Sequence, residues 1–246
     1  MAKLLNRFKV VDELKKMIIE AEQVVVLISP YIKLDNSIKS LLAKHQYKKD
    51  FELIIVYGKN EERKEKSLSD EDLAFFKSFQ NVTIKYHKAL HAKIYGNEEY
   101  CLATSMNLHN FSMKNNIEFG ILTKRSRIGE FLNIESLDTE IVEFCDYIIE
   151  KSETEFKKEV KVKSSFFGLI ETKGKAVVVE EKQRYGYCIR TKSKIPYNPQ
   201  APYSPEAFQS WNKYQNPNYT EKFCHGCGKE NKSTMSKPLC FDCWGK

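Results

Sequence analysis

The sequence of 246 residues has no long apolar run. Its longest apolar stretches, such as Val24–Ile28, are far shorter than the roughly 18 residues that a membrane span requires. The N-terminus, MAKLLNRFKVVDELKK, is amphipathic and lacks the apolar core of a secretory signal peptide. We therefore expect no membrane span, no leader and a cytoplasmic location.

The cysteine pattern does not indicate a disulfide framework. Four of the seven cysteines form two Cys-x2-Cys pairs separated by twelve residues, Cys224/Cys227 and Cys240/Cys243. Four thiolates at this spacing are typical of a structural zinc site in a reducing compartment. His225 lies between two of these ligands and is interpreted as a bystander. A segment this small has little core, so metal binding would supply its folding energy.

The composition favours a globular protein with an anionic partner. Apolar residues make up 41% of the chain, which is enough for a packed core, and the net charge is +7. Apolar periodicity predicts helices over 8–21, 36–45, 70–80 and 136–158, and strands over 24–29, 52–57, 82–86 and 117–122. Ser69 with Asp72 resembles a capping box. This order predicts an α/β domain, residues 1–158, with a mixed sheet flanked by helices.

A group of polar residues lies between positions 91 and 118. His91 and Lys93 alternate with apolar residues, so strand geometry would point both side chains to one face. Ser105 and Asn107 repeat this spacing, and Glu118 follows in the next apolar run. If these short strands lie side by side, their side chains converge. Such a set suits attack on phosphorus, because an imidazole can be the nucleophile and cationic groups can hold phosphate oxygens.

The stretch 91–120 resembles the His-x-Lys motif of the phospholipase D superfamily, in which an acidic residue, a Gly/Ser step and an Asn follow. His91, Lys93, Ser105 and Asn107 match, and Glu118 falls where the nuclease branch carries its own Glu. Two positions depart from the pattern. The family's Asp is replaced by Glu98 or Glu99, which keeps the charge, and Thr104 stands in place of Gly.

The resemblance implies a metal-independent phosphodiesterase with a phosphohistidine intermediate. Family members with two motif copies build one active site from both, whereas this chain has one copy. We therefore expect a homodimer in which one His91 attacks phosphorus and the partner's copy protonates the leaving oxygen. Lys93 and Asn107 would hold phosphate oxygens, Ser105 would donate a supporting hydrogen bond, and Glu118 would orient His91.

A basic stretch follows the predicted domain. Residues 157–194 contain eleven Lys or Arg against four Glu, with interleaved aromatic residues. Such a stretch could follow a phosphate backbone and stack on bases. It could equally be a solvated linker, which we place at 159–186.

The C-terminal region contains a weak internal repeat. A shift of 36 residues lays Tyr187-Cys188 over Phe223-Cys224 and Pro202 over Pro238. The other cysteine positions of the finger then meet Thr191, Ser204 and Ala207. We predict a degenerate, metal-free finger at 187–210 and a small zinc-ribbon-like finger at 211–246. Aromatic residues and prolines would supply a small core to the former, or that region is loosely ordered. Fingers behind such a domain also resemble some bacterial members of the superfamily.

Three functions remain open. An endonuclease acting on DNA or RNA is favoured by the basic stretch, the finger and the form of the motif. A lipid phosphodiesterase would require an exposed apolar surface, which the sequence does not indicate. A catalytically silent nucleic-acid-binding module is motivated by the changes at the Gly and Asp positions.

Overall fold

A computed structural model describes residues 2–59, 64–125, 136–164, 171–182 and 185–244. The chain divides into two compact units, residues 1–181 and 182–246. The first unit is α/β, and its large mixed sheet is flanked by helices, so the predicted fold class is confirmed. None of the helices in the described ranges is long and apolar enough to cross a membrane.

The first unit begins with alternating strands and helices. Their order is β1 (Lys3–Asn6), α1 (Arg7–Glu20), β2 (Val24–Ile28), β3 (Ile32–Lys33), α2 (Asn36–Ala43), β4 (Glu52–Gly58), α3 (Asp70–Lys77) and β5 (Asn81–His87), with a short 3-10 turn at Lys64–Lys66. The chain continues through β6 (Ile94–Asn97), β7 (Tyr100–Thr104), β8 (Leu108–His109), α4 (Asn110–Asn115), β9 (Phe119–Lys124), α5 (Leu137–Lys151), β10 (Glu153–Ser164) and β11 (Glu171–Glu181).

Nine strands form the central sheet, in the order β1-β9-β7-β6-β2-β4-β5-β10-β11. β2, β4 and β5 are parallel to one another, whereas β6 is antiparallel to β2 and β7 is antiparallel to β6. β9 is antiparallel to β7. Consequently the carboxyl ends of β2, β4, β5 and β7 meet the amino ends of β6 and β9 at one edge of the sheet.

The helices form where the sequence offers a cap and an apolar stripe. In α1 the buried residues Val10, Leu14, Met17 and Ile18 lie on one face, and the Asn6 side chain accepts a hydrogen bond from the Lys9 N–H at 3.2 Å. The predicted cap at Ser69 is confirmed, because its hydroxyl accepts a hydrogen bond from the Asp72 N–H at 3.1 Å. Each cap satisfies a backbone donor that the first helical turn leaves free.

The structure differs from the predicted domain boundary near residue 158. Helix α5 ends at Lys151, and β10 begins at Glu153 and runs to Ser164. Phe156, Val160 and Val162 alternate with polar residues here, which is the two-residue period of a strand. β10 pairs with β5 and β11 pairs with β10, so most of the predicted linker 159–186 extends the sheet. Pairing with β5 satisfies backbone groups that would otherwise lie at a sheet edge.

The second unit is a duplicated motif of a hairpin and a helix. The first copy consists of β12 (Tyr185–Tyr187), β13 (Lys194–Pro196) and α6 (Pro205–Asn212). The second consists of β14 (Glu221–Phe223), β15 (Glu230–Ser233) and α7 (Phe241–Trp244). Each element of the second copy begins 36 residues after its counterpart. The two copies therefore share one backbone path, and we call them the metal-free repeat and the four-cysteine repeat.

Candidate active site and metal centre

The polar residues singled out in the sequence lie at the sheet edge where β2, β4, β5 and β7 end. Lys93 immediately precedes β6, Ser105 follows β7 and Glu118 precedes β9. The Thr104 N–H donates to the Lys93 carbonyl at 3.0 Å, and the Ser105 N–H donates to the Phe119 carbonyl at 3.1 Å. These backbone bonds continue the β6–β7 and β7–β9 ladders and fix the three positions relative to one another.

His91 and Lys93 do not lie on a strand, contrary to the prediction. The chain from 88 to 93 is irregular, and β6 begins only at Ile94. A turn closed by the Leu90 N–H and the His87 carbonyl, 3.1 Å apart, buries the Leu90 side chain and delays the start of pairing. The Lys93 ammonium donates to the His91 carbonyl at 2.7 Å. His91 is exposed, whereas Lys93 is partly buried.

Nearby cations set the protonation of these two groups. Lys93, and then Lys59, lower the pKa of His91, because a positive neighbour disfavours the imidazolium. Burial lowers the pKa of Lys93, and Lys59 lowers it further, while Glu118 acts in the opposite sense. His91 in a single chain is therefore biased toward the neutral imidazole, which is the nucleophilic form.

Lys59 was not predicted from the sequence. It is the first residue after β4 and adopts a positive φ of 78°. The signal that could have found it is its position at the carboxyl end of a parallel strand, beside a glycine. Gly58 packs closely against the chain that leads to His91. A Cβ atom at Gly58 would lie 2.3 Å from the His87 carbonyl oxygen.

Glu118 is held by neighbours within the same chain. It is 8% exposed, and its carboxylate accepts hydrogen bonds from the Ser105 hydroxyl and from the Asn116 amide, the latter at 3.1 Å. The Phe119 N–H in turn donates to the Ser105 oxygen at 3.1 Å. Within the described ranges, no hydrogen bond joins Glu118 to His91. The carboxylate thus fixes Ser105 and acts on Lys93 through charge.

Asn107 presents a buried amide oxygen that has no hydrogen-bond partner in the part of the chain described by the structure. Leaving such a group unpaired costs on the order of 1–3 kcal/mol. The two ends of the amide are interchangeable in a network of this kind, so the same position can offer an N–H donor. This unpartnered oxygen lies in the segment that directly follows Ser105.

The two departures from the family pattern have structural roles. The Glu98 carboxylate accepts hydrogen bonds from the N–H groups of Glu22 at 2.7 Å and Val24 at 3.2 Å, and so anchors the start of β2. The Thr104 hydroxyl donates to the Phe119 carbonyl and accepts from the Met106 N–H at 3.2 Å. Its side chain is therefore engaged by the turn that carries Ser105.

Two further residues missed by the sequence analysis support that turn. The Ser29 hydroxyl accepts from the Leu108 N–H at 3.1 Å, and the fully buried Tyr95 hydroxyl donates to the Met106 carbonyl at 2.7 Å. Burial raises the pKa of Tyr95, which keeps the phenol neutral as a donor. Both bonds hold residues 106–108, between which Asn107 lies.

An open cleft of about 380 Å³ adjoins the site. Its walls are α5 and the chain around Lys93, and its lining is Ala92, Lys93, Ile94, Ala103, Thr104, Leu137, Glu140, Ile141 and Phe144. Leu137 and Phe144 are among the exposed large apolar residues of the chain. Lys93 thus borders both the polar site and a largely apolar cleft.

The four-cysteine repeat gathers its cysteines as the spacing predicts. The sulfur atoms of Cys224, Cys227, Cys240 and Cys243 all lie within 4.8 Å of one another, and those of Cys227 and Cys240 are 3.9 Å apart. Tetrahedral zinc with bonds of about 2.3 Å would separate its sulfur ligands by about 3.8 Å. The Cys240 N–H also donates to the Cys224 sulfur at 3.2 Å, as expected for a thiolate. The four residues fit one zinc ion.

His225 has no free nitrogen for a metal. Its ring is buried, Nδ1 lies 2.7 Å from the Tyr187 carbonyl, and Nε2 accepts from the Asn198 N–H at 2.9 Å. The ring also stacks on Tyr197 at a centroid distance of 5.1 Å. This residue therefore joins the four-cysteine repeat to the metal-free repeat.

In the metal-free repeat, an apolar cluster occupies the place of the metal. It consists of Cys188, Ile189, Ile195, Tyr203 and Ala207, with Trp211 and Met235 packed against it. The Ser204 side chain, which stands where Cys240 binds, instead caps α6 by accepting from the Ala207 N–H at 3.3 Å. Of the aromatic residues and prolines expected to form the core, Tyr203 is in this cluster, whereas Phe208 is exposed.

No protein-family model matches the chain, and no curated protein matches it. Among solved structures, it resembles NucT from Helicobacter pylori, with 12% identity and a TM-score of 0.47 over 63% of this chain and 98% of that one. It also resembles Nuc from Salmonella typhimurium, a phospholipase D family member, with 11% identity and a TM-score of 0.46 over 63% of this chain and 97% of that one. A third similarity is to phosphatidylserine synthase from Haemophilus influenzae, with 12% identity, a TM-score of 0.45 and coverage of 62% and 39%. Likenesses this distant do not assign a family.

Proposed function

We propose that the chain is a metal-independent phosphodiesterase of the phospholipase D type that cleaves DNA or RNA in the cytoplasm. The observation that carries the proposal is the arrangement at one sheet edge of His91, Lys93, Ser105, Asn107 and Glu118. It combines an imidazole biased toward its nucleophilic form, a cation, and a buried amide without a partner. These are the groups that in-line attack on a phosphodiester requires.

The reaction proceeds in two displacements. Nε2 or Nδ1 of His91 attacks phosphorus, the bond to the leaving oxygen breaks, and a second imidazolium gives its proton to that oxygen. The second imidazole, now neutral, takes a proton from water. The water oxygen then displaces the attacking His91 from phosphorus. Lys93 and the Asn107 amide hold the non-bridging oxygens, Ser105 adds a hydrogen bond, and Glu118 fixes Ser105 and offsets the charge of Lys93.

The second imidazole comes from a second copy of the chain. Each chain carries one His91-x-Lys93 motif, and His91 is exposed rather than enclosed by its own chain. Two copies meeting across a two-fold axis would place both rings on one phosphate and enclose the site. Proximity would also make the pair share one proton, which matches the need for one neutral and one charged ring.

The zinc ion belongs to the second unit and takes no part in the displacement. Cys224, Cys227, Cys240 and Cys243 supply four thiolates and leave no open coordination position, which is the pattern of a structural site. The ion would fold the four-cysteine repeat.

A lipid phosphodiesterase is the second candidate, and the cleft beside Lys93 favours it. The lining of this cleft, with Leu137, Ile141 and Phe144, could accommodate part of an apolar chain. Turnover of phosphatidylcholine vesicles without cleavage of oligonucleotides would establish this alternative.

The test is incubation of the purified full-length chain with labelled single- and double-stranded DNA and RNA in EDTA, beside the His91→Ala variant. We expect cleavage by the parent, none by the variant, and similar oligonucleotide binding by both. A trapped acid-labile phosphoprotein in the parent would identify the intermediate. Equal cleavage by the His91→Ala protein would refute the proposal, and so would turnover by a strictly monomeric parent.

A further inference from the structure

The net positive charge of the chain lies in the second unit. Residues 182–246 contain eleven Lys or Arg and four Asp or Glu, a net charge of +7 (eleven minus four). The whole chain is also +7, so residues 1–181 are net neutral. A polyanion is attracted by clustered Lys and Arg, and the unit that holds the catalytic residues has no excess of them.

Within the second unit, the metal-free repeat has the least opposing charge. Residues 185–212 carry three Lys or Arg and four Tyr against one acidic residue, Glu206, whereas residues 221–244 carry four Lys against three acidic residues. Arg190 is engaged with the buried Glu221, to which its Nε donates at 2.8 Å. Lys192 and Lys194 are exposed, and each ammonium lies over an aromatic ring, at 5.6 Å from the Phe223 centroid and 4.5 Å from the Tyr185 centroid.

The hairpin β12–β13 presents Tyr185 and Lys194 on one face, and Lys192 lies in the segment that joins the two strands. Tyr185 pairs with Pro196 and Tyr187 with Lys194, so these side chains share one face. The opposite face carries Gly186 and Ile195, which are buried, and Gly186 packs against the His225 ring. The half-exposed Tyr185 ring and the Lys194 ammonium over it thus lie on the face opposite His225, and the exposed Lys192 belongs to the adjoining connection.

Lys192 holds a backbone conformation that lysine disfavours. Its φ is +63°, and the equivalent residue in the other repeat is Gly228 with a φ of +66°. Glycine adopts this conformation without steric cost, whereas a side chain in it costs roughly 1–2 kcal/mol. Backbone strain of this kind is found most often at functional sites, so the strained Lys192 on an exposed surface points to a role for its side chain.

We propose that the outer face of the metal-free repeat, formed by Tyr185, Lys192 and Lys194, binds a nucleic-acid strand. The lysines contact consecutive phosphates, and Tyr185 stacks on an unpaired base. This surface would bind the substrate of the proposed nuclease through residues other than the catalytic ones. Its role in substrate binding rests on the proposed nuclease function. Single strands bind more tightly than duplexes, since only an unpaired base can reach the tyrosine.

The experiment measures binding of labelled 20-nucleotide single strands and duplexes to the full-length chain in the His91→Ala background, from 50 to 300 mM salt. Removing two phosphate contacts in Lys192→Gly/Lys194→Gln should reduce the slope of log K against log salt by about 1.4 for single strands, at about 0.7 per contact. Tyr185→Ala should weaken single-strand binding roughly tenfold and duplex binding much less. The matched control Lys15→Gln/Lys44→Gln removes the same charge from the first unit and should leave the slope unchanged.

Circular dichroism and zinc content of each variant show whether the second unit is folded. An unchanged slope in the folded Lys192→Gly/Lys194→Gln variant would overturn the proposal. So would equal binding of poly-L-glutamate or of anionic vesicles, since either would assign the face to anions in general or to a membrane. The measurement needs no turnover, so a failure of catalysis in the parent chain does not affect its outcome.

Discussion

Residues 185–212 and 221–244 follow the same path 36 residues apart, yet different forces hold them. The Cys188 N–H donates to the Ser193 carbonyl at 2.8 Å, and the Cys224 N–H donates to the Lys229 carbonyl at 2.9 Å. The same backbone hydrogen bond thus closes the turn after the first cysteine of each repeat. In the first copy, an apolar cluster replaces the four thiolates that gather in the second.

The two copies also pack on each other reciprocally. The Phe223 N–H donates to the Ile189 carbonyl at 2.8 Å, and the Tyr187 N–H donates to the His225 carbonyl at 2.8 Å. A shift of 36 residues converts each donor and acceptor into the other pair, so an approximate two-fold axis relates the repeats. An arrangement fixed by backbone bonds allows one copy to change its side chains while its fold is kept. The two copies therefore share one backbone path, although only the second brings four cysteine sulfur atoms together.

The largest expected effect comes from removing the metal. Cys227→Ser leaves three thiolates, and metal binding is worth on the order of 10–16 kcal/mol in zinc-finger peptides. We expect zinc content to fall from one ion per chain toward none, and amide protection to be lost first in 221–244. Hydrogen exchange with mass spectrometry measures both repeats at once. Thr191→Ser at the equivalent position is the control and should change neither quantity. Retention of protection in 221–244 would show that the neighbour alone can support this repeat.

The next effect comes from the core of the metal-free repeat. Ile189 is fully buried in its cluster, so Ile189→Ala should cost about 2–5 kcal/mol, whereas Ile189→Val should cost about 1 kcal/mol. Denaturant unfolding followed by the fluorescence of Trp211, which packs on this cluster, measures the change.

Zinc content provides the control for this core substitution. It should remain at one ion in Ile189→Ala, because no cysteine ligand has been altered. Loss of zinc together with stability would mean that the metal-free repeat holds the four-cysteine repeat in place. The four-cysteine repeat would then depend on its neighbour for metal binding.

The extent to which the sequence predicted this structure differs between local and long-range features. The strand from Val24, the strand from Glu52 and the Ser69 cap depend on nearby residues, and all appear within a residue of their predicted starts. The helix expected to reach 158 ends at Lys151, because the chain from Glu153 to Lys158 pairs with β5 instead. That partner is some seventy residues away in sequence, so local periodicity could not reveal it.

The same distinction applies to the candidate site. The five predicted site residues follow from a motif of fixed spacing, and their elements lie at one edge. Lys59 depends on the parallel register of β4, and Ser29 depends on β2 ending beside Leu108. Neither residue belongs to a local motif. The hydrogen bonds from Ser105 and Asn116 to Glu118 likewise depend on how the strands meet. Because the sequence does not reveal them, it led to the prediction that Glu118 orients His91.

The smallest expected effect tests Lys192, a position at which the metal-free repeat is the more strained copy. Gly228→Ala should destabilise the four-cysteine repeat by about 1 kcal/mol, since its φ is +66° and a Cβ would lie 2.8 Å from the Tyr187 ring. Lys192→Gly should have the opposite sign and stabilise the chain by about 0.5 kcal/mol, because glycine removes the left-handed penalty at some entropic cost. Thermal unfolding measures both. If Lys192→Gly instead lowers stability, the contact of the lysine with the Phe223 ring outweighs the strain, and Lys192 is retained for packing. A gain in stability together with weaker oligonucleotide binding would mean that this repeat keeps an unfavourable lysine for its charge.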